Sequence, residues 1–102
     1  MARKHSFDEM LLSRARLGIV SVLISREEAR FMDLKALLGL TQGNLTIHLK
    51  KLEDGGFVRV KKEFVERKPR TTARITPKGK KAFLKHVQTL QSIADGEDVI
   101  GG

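Results

Sequence analysis

The sequence contains no cysteine. That absence excludes disulfides, thiolate metal sites and cysteine-based redox sensing together. It also lacks a long apolar run: the basic start Met1-Ala2-Arg3-Lys4-His5 leads into no hydrophobic segment. A signal peptide or a membrane span is therefore not expected, and the reading is cytoplasmic. Histidine is scarce, and His5, His48 and His86 are too far apart for a metal site built on spacing. No serine or threonine has an evident base partner, no glycine-rich phosphate loop occurs, and the carboxylates form no convincing pair. Neither a catalytic residue nor a cofactor is expected. Acidic charge is short as well, with 12 Asp+Glu against 20 Lys+Arg, which leaves a net +8 and a pI near 10.2. A balance that basic favours a polyanionic partner, nucleic acid before membrane.

What is present fits one domain of 102 residues, 40% of them apolar. A core this small is marginal alone, so a second copy would help it. Ser6 with Glu9 reads as a capping box that opens a helix through Met10, Leu11 and Leu12. Ser13 either caps a second segment or lies within that helix. Leu17, Ile19, Val20, Val22, Leu23 and Ile24 form a broadly apolar helix for the centre of the domain, with Gly18 placed for close packing. The polar segment 25–30 connects it to a helix in which Phe31, Leu34 and Leu38 share one face, ended by Gly39.

Thr41 is then an N-cap for a helix over about 42–54. At 100° per residue, Leu45, Leu49 and Leu52 fall in one narrow arc with His48 at its edge. Gly43, Ile47, Lys50 and Lys51 lie opposite, flanked by Asn44 and Thr46. One residue of the Gly55-Gly56 pair ends the helix in the left-handed conformation. Residues 57–62 and 71–76 alternate as two half-buried strands, joined by a basic loop 63–70 in which Pro69 forbids regular pairing. Thr76-Pro77 caps a last helix over about 77–94, and 95–102 is a short acidic, glycine-rich tail. The fold class expected is mainly α with a small β-hairpin wing, in the order α-α-α-β-β-α, with or without a very short extra strand before the second helix. These are the parts of a winged helix-turn-helix.

Major-groove binding needs an exposed helix face of small, hydrogen-bonding and basic residues, plus an N-terminus aimed at phosphate. Thr41, Gln42, Gly43, Asn44, Thr46, Ile47 and Lys50 supply that face. Gln42 and Asn44 suit adenine, Gly43 allows close approach, and Ile47 reads as a contact to a thymine methyl, set against simple packing on a neighbour. His48 reads as a half-buried, satisfied histidine. Between Phe57 and Lys85 eleven Lys/Arg meet two Glu, a local net of +9. Arg67, Lys68 and Arg70 in the wing fit contact to the DNA backbone or a narrow minor groove. Phe83, Val87, Leu90 and Ala94 form a stripe on the last helix, either a dimer interface or cover for the domain's own core.

The run Leu38-Gly39-Leu40-Thr41-Gln42-Gly43-Asn44-Leu45-Thr46-Ile47-His48-Leu49-Lys50-Lys51-Leu52-Glu53 with Gly56-Phe57-Val58 resembles the recognition region of small winged-helix transcriptional regulators of the ArsR/MarR type. Arg67-Lys68-Pro69-Arg70-Thr71 and Ile75-Thr76-Pro77-Lys78-Gly79 are similar to the compact subgroup built as little more than one winged helix. The resemblance covers about residues 10 to 94. It implies a dimer made by the N- and C-terminal helices, operator binding through the helix from Gln42 and the wing, and usually repression. The cysteine ligands many such regulators use for metal are missing, which leaves room for a small-molecule effector instead. Domain 1–94 is thus expected to be a sequence-specific, homodimeric regulator on double-stranded DNA. The alternatives are a nonspecific architectural DNA binder and a winged-helix protein-interaction module.

Overall fold

A computed structural model describes residues 7–96. Ser6 and the residues after Gly96 lie outside the described residues, and so do the Ser6 half of the expected capping box and most of the expected tail. The first cap in the structure is Asp8, whose Oδ1 accepts from Met10 N at 2.9 Å. The turn it opens is a single 3-10 turn, Glu9–Leu11, which buries Leu11. It stops there because Ser13 starts a new helix, accepting from Arg16 N through its own hydroxyl. The alternative left open at Ser13 is thereby decided.

Helix α1 (Arg14–Arg26) buries Ile19, Val20 and Leu23 and forms the centre of the core. Gly18 faces Leu38, where an added Cβ would come to 3.0 Å of its Cδ2, so close packing is its role. After α1, Glu27 takes a positive φ of 68° and turns the chain into β1 (Glu28–Arg30). This is the short extra strand: Ala29 points into the core between two exposed charges. Helix α2 (Phe31–Leu38) ends at left-handed Gly39, and α3 (Gln42–Asp54) follows. Gly56, at φ 80°, is the left-handed member of the glycine pair.

Strands β2 (Val58–Val65) and β3 (Lys68–Ile75) are longer than their alternation suggested. The sheet order is β1-β3-β2, antiparallel throughout. The expected loop 63–70 shrinks to a two-residue turn, Glu66-Arg67, with φ values of 53° and 67° as a tight hairpin of this twist requires. Pro69 does pair, opposite Phe64. A two-residue turn closes on a hydrogen-bonded pair, here Val65 with Lys68, so the next pair is a non-bonded one and the missing N–H costs nothing. On its other side Pro69 has no neighbour, because β1 reaches only as far as Thr72.

Helix α4 (Pro77–Ala94) is locked to the base of the hairpin by Thr76. Its hydroxyl accepts from Gly79 N at 3.0 Å and donates to the Gly56 carbonyl at 2.6 Å, while its N–H donates to Phe57 O at 3.1 Å. Opposite this joint, Arg74 of β3 pairs with Glu28 at 2.7 Å and Glu27 at 3.6 Å, and Glu27 also reaches Lys80 of α4 at 3.7 Å. No local pattern in the sequence assigns these two glutamates a role beyond solvation. As exposed pairs they add little stability singly, but they tie α1, β1, β3 and α4 at one corner.

Candidate nucleic-acid interface

The arc Leu45, Leu49 and Leu52 is buried, so α3 is held by one face and offers the other to solvent. Thr41 is occupied as the cap, its Oγ1 accepting from Asn44 N at 3.1 Å. Gln42, Gly43 and Asn44 are exposed in the first turn. Thr46 donates its hydroxyl proton to the Gln42 carbonyl at 2.8 Å, which leaves its oxygen able only to accept. Ile47 is 55% exposed at the middle of this face, so packing on a neighbouring helix or loop does not explain it. Lys50 pairs with Asp54 at 3.0 Å, and that bond raises its pKa. Lys51 turns to a flank, beside Asp8, Glu9 and Arg16.

His48 is half-buried, with Nδ1 3.2 Å from Arg16 Nη1. A guanidinium only donates, so Nδ1 accepts and the ring proton sits on Nε2. Arg16 also donates from Nε to Met10 O at 2.9 Å, which joins α3 to the N-terminal turn through one side chain. Burial, Arg16 and Lys51, in that order, lower the His48 pKa from its ordinary 6.5. The unfolded chain then takes up this proton before the folded one does. Stability held by neutral His48 is complete above about pH 6.5 and is lost as pH falls through the lowered folded value. Thermal melts between pH 7.5 and 5 should show a steeper loss for the native chain than for His48→Gln, and parallel curves would exclude this linkage.

Cross-strand register assigns the hairpin residues to two faces. Val58, Val60, Lys62 and Phe64, paired with Ile75, Ala73, Thr71 and Pro69, share one of them. That face looks toward α3: Gln42, Thr46, Lys50, Val60, Lys62 and Thr71 line one cleft of about 290 Å³. Arg67 lies in the turn itself and Lys68 is exposed beside it. Arg70, by contrast, pairs across from Glu63 on the opposite face, half-buried near Arg26 and Asp33. The structure thus brings Gln42, Thr46 and Lys50 together with the hairpin, and places Arg70 away from that cleft. Lys62 and Phe64 belong to the α3 side and were missed. The signal was the same alternation, which runs on past residue 62.

The stripe on α4 divides. Phe83 is half-buried against the domain's own core with Ala82, whereas Val87 and Leu90 are 44% and 48% exposed and Ala94 is open as well. Leu84, 58% exposed, extends the open side and was not expected there. His86 is buried against the Phe7 ring, 5.1 Å between centroids. Among the described residues no group of three or more His, Asp or Glu could hold a metal, and no helix is long and apolar enough to cross a membrane.

A helix-turn-helix over α2 and α3, with a cationic hairpin beside its second helix, defines a winged-helix protein. The chain belongs to the winged helix DNA-binding domain family, whose pattern matches residues 15–94. An uncharacterized protein of Methanocaldococcus jannaschii is 39% identical over 82 residues, 80% of this chain and 89% of that one. Among solved structures, a transcriptional regulator homologue from Pyrococcus horikoshii superposes with a TM-score of 0.81 at 35% identity, covering 87% of this chain and 88% of that chain. The transcriptional regulator BldR from Sulfolobus solfataricus is similar at a TM-score of 0.69 and 27% identity, covering 86% of this chain and 62% of that one.

Proposed function

We propose that the chain is a homodimeric, sequence-specific regulator of transcription that binds double-stranded DNA and represses by occupying its operator. Helix α3 enters the major groove, and the hairpin follows the backbone toward the adjoining minor groove. The observation that carries this is the exposed face of α3. Gln42, Asn44 and Ile47 combine two amides with an apolar side chain, the mixture that reads adenine edges and thymine methyls. A helix serving only to neutralise phosphate would need neither.

Thr41, Gly43 and Lys50 act on the backbone in this reading. Lys50 exchanges its exposed Asp54 partner for a phosphate, at small cost because both side chains of that pair are mostly exposed. Arg67 and Lys68 at the turn serve the same purpose. Arg70, facing away from the cleft, is the weakest of the cations expected to touch DNA.

The test is selection of purified protein against random-sequence duplexes at about 0.15 M salt, where phosphate contacts are partly screened. Enrichment of an inverted repeat with half-sites about one helical turn apart is expected. Retention of DNA without enrichment would favour the architectural reading, which the net charge of +8 also permits. No retention would favour a protein partner. On the enriched duplex, Gln42→Ala or Asn44→Ala should cost about tenfold and relax preference at one position of each half-site. An unchanged preference profile in both variants would refute base reading by α3.

A further inference from the structure

Phe64 is 77% exposed, more than any other large apolar residue among those described, although its strand begins with buried Val58. The reason is geometric. Beyond Val60 the hairpin leaves the body of the domain, so the face that α3 covers at its base continues uncovered as Lys62 and Phe64, with Pro69 across from the ring. From Val60 to Val65 is five residues of strand, about 17 Å at about 3.3 Å each. Half a turn of DNA is also about 17 Å, so a hairpin on the α3 side reaches the minor groove beside the major groove that α3 occupies. A two-residue turn keeps the tip narrow, two strands about 4.8 Å apart. Three exposed cations lie along the hairpin near the ring: Lys62 on its face, Arg67 in the turn, and Lys68 beside the turn on the other face. An apolar ring at the tip of a cationic hairpin is suited to a surface with flanking phosphates and an apolar interior, which describes a DNA groove and its base stack.

We propose that Phe64, braced by Pro69, is an apolar wedge that enters the minor groove about half a turn from the bases read by α3. It selects flexible pyrimidine–purine steps there, TA or CA/TG, because these unstack most easily. The inference rests on the DNA-binding reading above and adds a second specificity determinant to it. The wedge reads deformability, so the preference falls on positions that no amide of α3 touches.

The test uses the full chain and the duplex enriched by selection, with a second duplex in which the flanking pyrimidine–purine step is replaced by an A-tract. Phe64→Ala should bind the first duplex about tenfold more weakly, with an unchanged dependence of log affinity on log salt. On the A-tract duplex the native chain should lose about as much, and Phe64→Ala nothing further. Phe64→Leu should retain most of the preference. Lys68→Ala should instead weaken both duplexes alike and lower the salt slope by about one. Because Phe64 is exposed, its variants should melt with the native chain, which keeps a folding defect out of the comparison. Equal loss on both duplexes, or none on either, overturns the wedge while α3 reading stands. Failure of the native chain to bind any duplex overturns the DNA-binding reading itself.

Discussion

Gly79→Ala should lower the melting temperature by more than about 10 °C, the largest stability loss expected from any single methyl in this chain. Gly79 is buried in the first turn of α4, and an added Cβ would run into the Phe57 carbonyl oxygen and meet Ile75 Cδ1 at 2.8 Å. Helix propensity pulls the other way, since alanine gains up to about 1 kcal/mol over glycine inside a helix. The clash wins because the Phe57 oxygen is backbone and cannot yield, and the buried Ile75 has little room to turn aside. Phe57 O is held by Thr76 N at 3.1 Å, and Ile75 is itself buried and hydrogen-bonded through its N–H to Glu27 O at 2.9 Å. Overpacking of this kind costs about 3 kcal/mol or more, and about 4–8 °C follows each kcal/mol in a domain of this size. Gly43→Ala supplies the contrast. Nothing lies within 4 Å of a Cβ there, so that variant should melt at or slightly above the native temperature. Yet it should bind operator DNA more weakly, because the methyl stands where the backbone of α3 approaches. Differential scanning calorimetry and a binding titration on both variants separate the effects. A native-like melt for Gly79→Ala would mean that the joint between hairpin and α4 is looser than its distances indicate.

That joint shows where the sequence was readable and where it was not. Thr76-Pro77 announces a helix start by local chemistry alone, and so do Thr41 before α3 and Gly39 after α2, because caps depend on neighbours three residues away. The leucine arc of α3 was legible for the same reason: a single period fixes both the buried face and the exposed one. Gly79 was not, since its requirement comes from Phe57, 22 residues earlier, and no local pattern records it. Pro69 misled in the opposite direction. Read locally it breaks a strand, but register places it at a non-bonded pair beyond the end of β1, where a strand tolerates it. Extending the two strands by these residues turned a loop with three basic residues into a two-faced hairpin, with Arg67 in the turn and Lys68 and Arg70 on the face turned away from α3. The roles of Glu27 and Glu28 were hidden likewise, because their partner Arg74 is brought to them by the pairing of β1 with β3.

Val87→Glu combined with Leu90→Glu should convert the protein from twice its chain mass of 11.4 kDa to 11.4 kDa in sedimentation, and should reduce affinity for an inverted repeat by about a hundredfold or more. In a free monomer the change costs little, since both side chains are nearly half exposed and a surface substitution is usually worth within about 0.5 kcal/mol. In the proposed dimer the same residues face each other about a two-fold axis, so every carboxylate introduced is desolvated beside its own copy, and that repulsion is decisive. Phe83 is left intact because it packs inward, and changing it would confuse folding with assembly. The DNA effect follows from linkage of two half-sites: once one α3 is bound, the second is held at high local concentration, and a monomer forfeits that gain. Salt provides an independent check. Each chain carries +8, so raising ionic strength relieves repulsion between copies and tightens the dimer, while the same salt weakens phosphate contacts. Self-association of the native chain should therefore strengthen over the range in which its DNA affinity falls. A native chain that sediments at 11.4 kDa at every salt concentration would remove the dimer from the proposal. A double variant that stays dimeric would move the interface off this face of α4.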